Sequence, residues 1–96
     1  MKKVIKVDQA KISHEYKKMI QKEKLINAVN DAIEKNFDGR QVYIEITSYN
    51  IETVRSVASM FIDAGWFPYV EDYGHFLVLY TEPLGFWASI NRKKLW

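Results

Sequence analysis

The sequence predicts an α+β domain, a two-layer sandwich in the order α-β-α-β-β with helices on a three-stranded mixed sheet. Apolar residues recur at helical spacing in segments 12–36 and 51–62, and segments 41–47 and 67–81 show strand patterns. The longest unbroken apolar run is Phe76 to Tyr80. Such a run fits a strand covered on both faces, so strand 75–81 is predicted to lie at the centre of the sheet.

The first 36 residues predict a long polar helix after a lead-in, Val4 to Val7, that also fits a short edge strand. The helix signal is a set of apolar residues three or four positions apart: Ile12, Tyr16, Met19, Ile20, Ile26, Val29 and Ile33. Polar residues at Lys22–Lys24 interrupt this stripe. One continuous helix and two helices therefore both remain open, and Asp38-Gly39 predicts the C-terminal stop.

Strict alternation from Gln41 to Thr47 predicts a half-buried strand. Asn50 is a favourable N-cap for the second helix, and Glu52 follows in the first turn, next to the positive end of the helix dipole. Ala64-Gly65 predicts the end of this helix, about fourteen residues later.

The next segment predicts a β-hairpin with strands Phe67–Glu71 and His75–Thr81, joined by a turn at Asp72-Tyr73-Gly74. Pro68 lacks an N–H and therefore predicts an edge strand. With strand 75–81 in the centre, the two outer strands run parallel to one another, which is a split β-α-β arrangement.

The last thirteen residues, 84–96, combine aromatic and basic side chains and predict a short helix. Two interpretations stay open for this tail. It folds back over a sheet face that a small domain leaves uncovered, or it docks on a partner through Phe86, Trp87 and Trp96.

At 96 residues the chain predicts a single domain, 1–96, with a basic helical arm at 1–24 and the tail at 84–96. Cysteine is absent, and no apolar run is long enough for a signal peptide or a membrane span. The chain is thus expected to be cytoplasmic, without membrane contact. Residues 1–35 and 84–96 are basic and the middle is acidic, although the net charge is only +2.

No arrangement of residues predicts catalysis, a metal site or a cofactor. His14 and His75 are isolated from nucleophiles and from metal-binding motifs, and Glu71 and Asp72 are adjacent, so that on a strand they face opposite sides. The four glycines are scattered and form no phosphate-binding loop. We therefore expect a protein that is not an enzyme.

The order of elements in this chain resembles that of small α/β proteins encoded by bacteriophages. The elements are a polar helix, a short strand, a helix that ends in Ala64-Gly65-Trp66 and a hairpin that closes on Phe76–Tyr80. The resemblance covers about residues 25–82 and is one of pattern. It implies a non-enzymatic protein that binds and modulates or inhibits a host enzyme, in the host cytoplasm.

The expected function is binding of a protein partner, with contacts from an aromatic surplus: Trp66, Tyr69, Tyr73, Phe86, Trp87 and Trp96. One alternative is weak nucleic-acid binding, with phosphate contacts from Lys17, Lys18, Lys22, Lys24, Arg92, Lys93 and Lys94 and bases stacked on Tyr43, Tyr69, Tyr73 and Tyr80. The acidic charge of the sheet segment disfavours nucleic-acid binding. A second alternative is self-association into a homodimer through the edge strand or the tail.

Overall fold

A computed structural model of the chain describes residues 4–96. Its helices are α1 (Val7–Asn36) and α2 (Ile51–Asp63), and its strands are β1 (Gln41–Glu45), β2 (Phe67–Glu71), β3 (Phe76–Tyr80) and β4 (Lys93–Lys94). A single 3-10 turn, Asp72–Gly74, joins β2 to β3. The predicted α+β class is confirmed, and α1 is one continuous helix of 30 residues.

The sheet has the order β1-β3-β2-β4, and every neighbouring pair is antiparallel. The central place predicted for β3 is confirmed. The prediction of a three-stranded mixed sheet is wrong, because β4 adds a fourth strand beside β2 and no neighbouring pair is parallel. β2 is therefore not at the edge. The Pro68 carbonyl accepts the Leu95 N–H at 3.1 Å. The N–H and C=O of a strand residue point to the same side, so the missing N–H of Pro68 lies on the side of β4. The hydrogen bonds between β2 and β3 therefore do not need it.

Two of the predicted short elements differ in the structure. Residues 4–6 pair with no strand among the described residues, and α1 already begins at Val7. The predicted tail helix is instead a series of turns over residues 86–92 that leads into β4. The tail forms hydrogen bonds with the sheet rather than within a helix of its own, because its last residues reach the free edge of β2.

Both helices pack on one face of the sheet. Their core contacts come from Leu25 and Val29 of α1 and from Val54, Val57 and Ala58 of α2, which meet the inward residues of β1, β2 and β3. The alternation of strand side chains sends Tyr69, Val78 and Tyr80 to the other face, where they form a second buried cluster. The C-terminal tail covers that cluster.

Local polar contacts fix the ends of the elements. The Asn50 side chain accepts the Thr53 N–H at 2.8 Å, as predicted for an N-cap. The Asp38 carboxylate accepts the N–H groups of Gln41 and Arg40, and these hydrogen bonds lower the pKa of Asp38. The predicted hairpin turn contains three successive residues with positive φ, Asp72, Tyr73 and Gly74.

Candidate protein-binding surfaces

The C-terminal tail is fixed to the outer face of the sheet at both of its ends. At its start, the Leu84 N–H donates to the Tyr69 hydroxyl at 2.9 Å. At its end, Leu95 donates to Pro68, and the Trp96 ring packs edge-on against Phe67 and Tyr69 with centroids 5.2 and 4.7 Å apart. The two ends of the tail therefore fold back over the sheet, as the first interpretation predicts.

A three-residue polar cluster holds the tail between those ends. The Arg92 guanidinium forms an ion pair with Glu71, with Nε and Oε1 2.9 Å apart. The Tyr80 hydroxyl donates to the other carboxylate oxygen of Glu71 at 2.5 Å. Burial, followed by the hydrogen bond and the negative charge of Glu71, raises the pKa of Tyr80 above its usual range. We call Glu71, Tyr80 and Arg92 the latch.

The latch predicts a loss of stability in alkali. An unfolded tyrosine loses its proton near pH 10, whereas folded Tyr80 keeps it to higher pH. Above pH 10 the folded state thus binds more protons than the unfolded state, and the free energy of unfolding should fall as the pH rises. Urea unfolding between pH 8 and pH 11 measures this slope.

Tyr80→Phe should flatten the alkaline slope, and Tyr73→Phe is the matched control because Tyr73 is fully exposed. The same slope in wild type and Tyr80→Phe would contradict the assignment.

Between its fixed ends the tail presents two aromatic rings to solvent. Phe86 and Trp87 are 74% and 79% exposed, and their rings lie edge-on with centroids 5.2 Å apart. Ser89 stabilises the turn that carries them, since its N–H donates to the Gly85 carbonyl at 3.0 Å and its hydroxyl to the Phe86 carbonyl at 3.1 Å. We call Phe86 and Trp87 the aromatic pair.

The other predicted contact residues lie elsewhere. Trp66 is half-buried against Phe37, with ring centroids 5.3 Å apart, and Tyr69 is buried beneath the tail. Both therefore serve the core, and Tyr69 has no surface for a partner. Trp96 is 41% exposed and mainly packs on the sheet. Tyr73 projects from the hairpin turn, beside a groove of about 600 Å³ that residues of the turn share with Asn91 and Lys93 of the tail.

The predicted phosphate contacts are spread over two elements. Lys17, Lys18 and Lys22 line shallow grooves between α1 and the segment 48–56, whereas Lys93 and Lys94 form β4. Arg92 is engaged in the latch. Tyr69 and Tyr80 are buried, so the four tyrosines do not form the open stacking surface that the nucleic-acid alternative needs.

The sequence prediction missed a second exposed apolar surface, on the N-terminal part of α1. Residues 4–19, which we call the arm, are all exposed. Ile12, Tyr16 and Met19 form a stripe along the arm and are 71%, 63% and 61% exposed. Helical spacing alone does not separate these residues from the core, because Ile26 and Ile33 continue the same seven-residue repeat as Ile12 and Met19 and yet pack against the buried cluster.

Compared with models of protein families, with curated proteins and with solved structures, the chain matches none of them. Within residues 4–96, neither helix combines the length and the apolarity that crossing a membrane demands. In the same part of the chain, no three His, Asp or Glu side chains converge as a metal site would require.

Proposed function

We infer that the chain is a non-enzymatic protein-binding module and that the aromatic pair is the centre of its contact surface. The observation that carries this proposal is the exposure of Phe86 and Trp87, both of which stay about three-quarters in solvent while the segments on either side are bonded to the sheet. Large aromatic side chains dominate the energetics of protein interfaces. Outward rings on an anchored turn are therefore well suited to enter a pocket on a partner.

The anchoring supports the proposal because it lowers the entropic cost of binding. Ordering a flexible, rotamer-rich side chain at an interface costs roughly 0.5–1.5 kcal/mol. The turn that bears the aromatic pair is already held by Leu84, Arg92 and Leu95. Binding a partner therefore costs less conformational entropy for this turn than it would for a free tail.

The charges at the C-terminal end of the tail indicate what the partner surface is like. Lys93 and Lys94 are exposed, and the Lys94 ammonium lies 4.7 Å from the centroid of the Trp96 ring. A protein with an apolar pocket and an acidic rim would complement these groups. The resemblance to phage-encoded proteins would make that partner a host enzyme whose activity the chain modulates or inhibits.

Affinity capture with purified protein variants tests the proposal. Immobilised wild type should retain one dominant protein from a lysate of the cells in which the chain works, and Trp87→Ala should lose it. Tyr43→Ala is the matched control, since Tyr43 is 46% exposed on the sheet and distant in sequence from the tail. Equal capture by all three proteins, or none by wild type, would refute a role for the aromatic pair.

A further inference from the structure

One side of α1 is apolar where it packs on the sheet domain and basic in the turns before that. Lys18, Lys22, Leu25 and Val29 follow one another at intervals of four, three and four residues, which places them on the same side of the helix. Leu25 and Val29 are fully buried in the core, whereas Lys18 and Lys22 line a groove at the start of α2. The domain-facing side of α1 therefore continues beyond the core as a row of cations.

Two adjoining grooves lie between this row and the start of α2. The first has a volume of about 230 Å³, with Lys18 and Lys22 on one side and Asn50, Glu52 and Thr53 on the other. The second, of about 390 Å³, shares Lys18 and Asn50 with the first and adds His14, Lys17, Gln21 and Ser48. Among the described residues that line the two grooves, three lysines face the single carboxylate of Glu52. The grooves thus have an excess of positive charge.

The first turn of α2 supplies N–H donors to the first groove. α2 has 13 residues, and the side chain of its N-cap Asn50 accepts the Thr53 N–H at 2.8 Å. The Ile51 and Glu52 N–H groups have no hydrogen-bond partner among residues 4–96. N–H groups at the start of a helix attract anions, because they are free to donate and lie at the positive end of the helix dipole.

A buried hydroxyl in the first groove independently indicates a ligand there. Thr53 is only 7% exposed and lines the groove. Its N–H is bonded to Asn50, but its hydroxyl has no hydrogen-bond partner in the part of the chain that the structure describes. Buried polar groups without a partner are costly and uncommon in native proteins. An oxyanion in the groove would accept this hydroxyl together with the two free N–H groups.

The lysines are available to neutralise such an anion. Lys22 is half-buried, and its ammonium forms none of the ion pairs found within residues 4–96. Lys18 approaches Glu15 only to 4.0 Å, and both of these side chains are largely exposed. An exposed ion pair of this kind contributes little energy. Lys18 can therefore turn from Glu15 to a ligand without a large loss.

We propose that the two grooves form a binding site for a small phosphate monoester. The phosphate dianion lies in the first groove, where the Thr53 hydroxyl, the Ile51 and Glu52 N–H groups and two ammonium groups surround it. Pockets that hold a whole ligand usually measure roughly 300–1,000 Å³, so the first groove suits the phosphate alone. The polar second groove takes the organic part. This inference goes beyond the proposed function and is independent of the aromatic pair.

Titration of the isotope-labelled full chain with glycerol 3-phosphate, followed by NMR, tests the site. The amide resonances of Ile51 and Glu52 should shift and saturate, whereas sodium chloride of equal ionic strength should leave them in place. Inorganic phosphate should give the same shifts with lower affinity, because it occupies only the first groove. No saturable shift with glycerol 3-phosphate, or saturation with inorganic phosphate alone, would overturn the proposal.

Thr53→Val separates binding from folding. Valine has nearly the shape of threonine, and the hydroxyl that it removes has no partner in the free protein, so stability without ligand should not fall. The dissociation constant for glycerol 3-phosphate should rise about tenfold, because a hydrogen bond to a charged group is lost. A folded Thr53→Val variant that binds as tightly as wild type would contradict the site.

Charge variants test the role of the lysines and do not depend on Thr53. Lys18→Gln should weaken binding about fivefold, the effect of one unit charge about 4 Å away in water. Lys24→Gln is the matched control, because Lys24 is also on α1 but lines neither groove. Glu52→Gln should tighten binding, since it removes the carboxylate. Equal weakening by Lys18→Gln and Lys24→Gln would show a response to net charge alone and overturn the site.

Two competition experiments separate this proposal from the others. A single-stranded oligonucleotide without terminal phosphates should not displace glycerol 3-phosphate, because each of its phosphodiesters carries one charge and none is terminal. Displacement would overturn the monoester in favour of nucleic acid. Trp87→Ala should bind glycerol 3-phosphate as wild type does, so that failure of this site and failure of the aromatic pair are distinguishable.

Discussion

Replacing Leu77 with alanine is expected to lower the free energy of unfolding by roughly 2–5 kcal/mol. Leu77 is fully buried in the central strand, where it pairs with Ile44 of β1 on one side and Val70 of β2 on the other. Truncation leaves a cavity at the junction of three strands, which the surrounding backbone is poorly placed to fill. Urea unfolding, followed by circular dichroism, measures the loss.

Ile12→Ala is the control for that experiment. Because Ile12 lies on the arm and is exposed, its truncation should change the unfolding free energy by less than about 0.5 kcal/mol. If Leu77→Ala were as mild as Ile12→Ala, the central position of β3 would be contradicted.

Arg92→Ala is expected to release the tail and to cost about 1–3 kcal/mol of stability. The substitution removes the cation that faces Glu71, whose side chain is only 14% exposed. A largely buried charged group without its partner carries a desolvation penalty of this size. Hydrogen exchange should also become faster at the Leu84 and Leu95 amides, because the latch no longer holds the segment between them.

Arg55→Ala provides the comparison, since Arg55 is exposed on α2 and its truncation should leave exchange in the tail unchanged. A double-mutant cycle with Glu71→Gln isolates the ion pair. Additive effects of the two substitutions would show that Arg92 and Glu71 do not stabilise the tail together.

Local sequence patterns predicted most of the helices and strands, because each of these elements carries its own signal. The alternation of Val42 and Ile44 matches the buried side of β1 and continues at the buried Ile46 just after it, and Asn50 caps α2 through its own side chain. The apolar run from Phe76 to Tyr80 predicted a central strand because it has no polar side. These signals lie within a few residues of the structures that they specify.

The tail was harder to predict because its structure depends on residues far away in the sequence. β4 has only two residues and exists because β2 offers a free edge. Arg92 pairs with Glu71, and Leu84 donates to Tyr69, so neither contact has a local pattern. The helical spacing of the apolar residues in 84–96 therefore predicted a helix. In the structure, contacts between the tail and the sheet form instead.

The arm shows the converse difficulty. Helical periodicity correctly predicted a helix through Ile12, Tyr16 and Met19, but periodicity alone does not say what the apolar side contacts. The same signal arises when a stripe faces its own core and when it faces another molecule. Only the positions of α2 and the sheet, beside Leu25 and Val29, separate the two cases.

The central claim is that the aromatic pair binds the partner while the rest of the tail serves the fold. Its most direct test is the dissociation constant of the captured partner, measured by isothermal titration calorimetry for wild type and Trp87→Ala. A central interface aromatic contributes about 2 kcal/mol or more, so the dissociation constant should rise about 30-fold, while thermal stability stays unchanged because Trp87 is exposed. A dissociation constant within twofold of the wild-type value would contradict the claim.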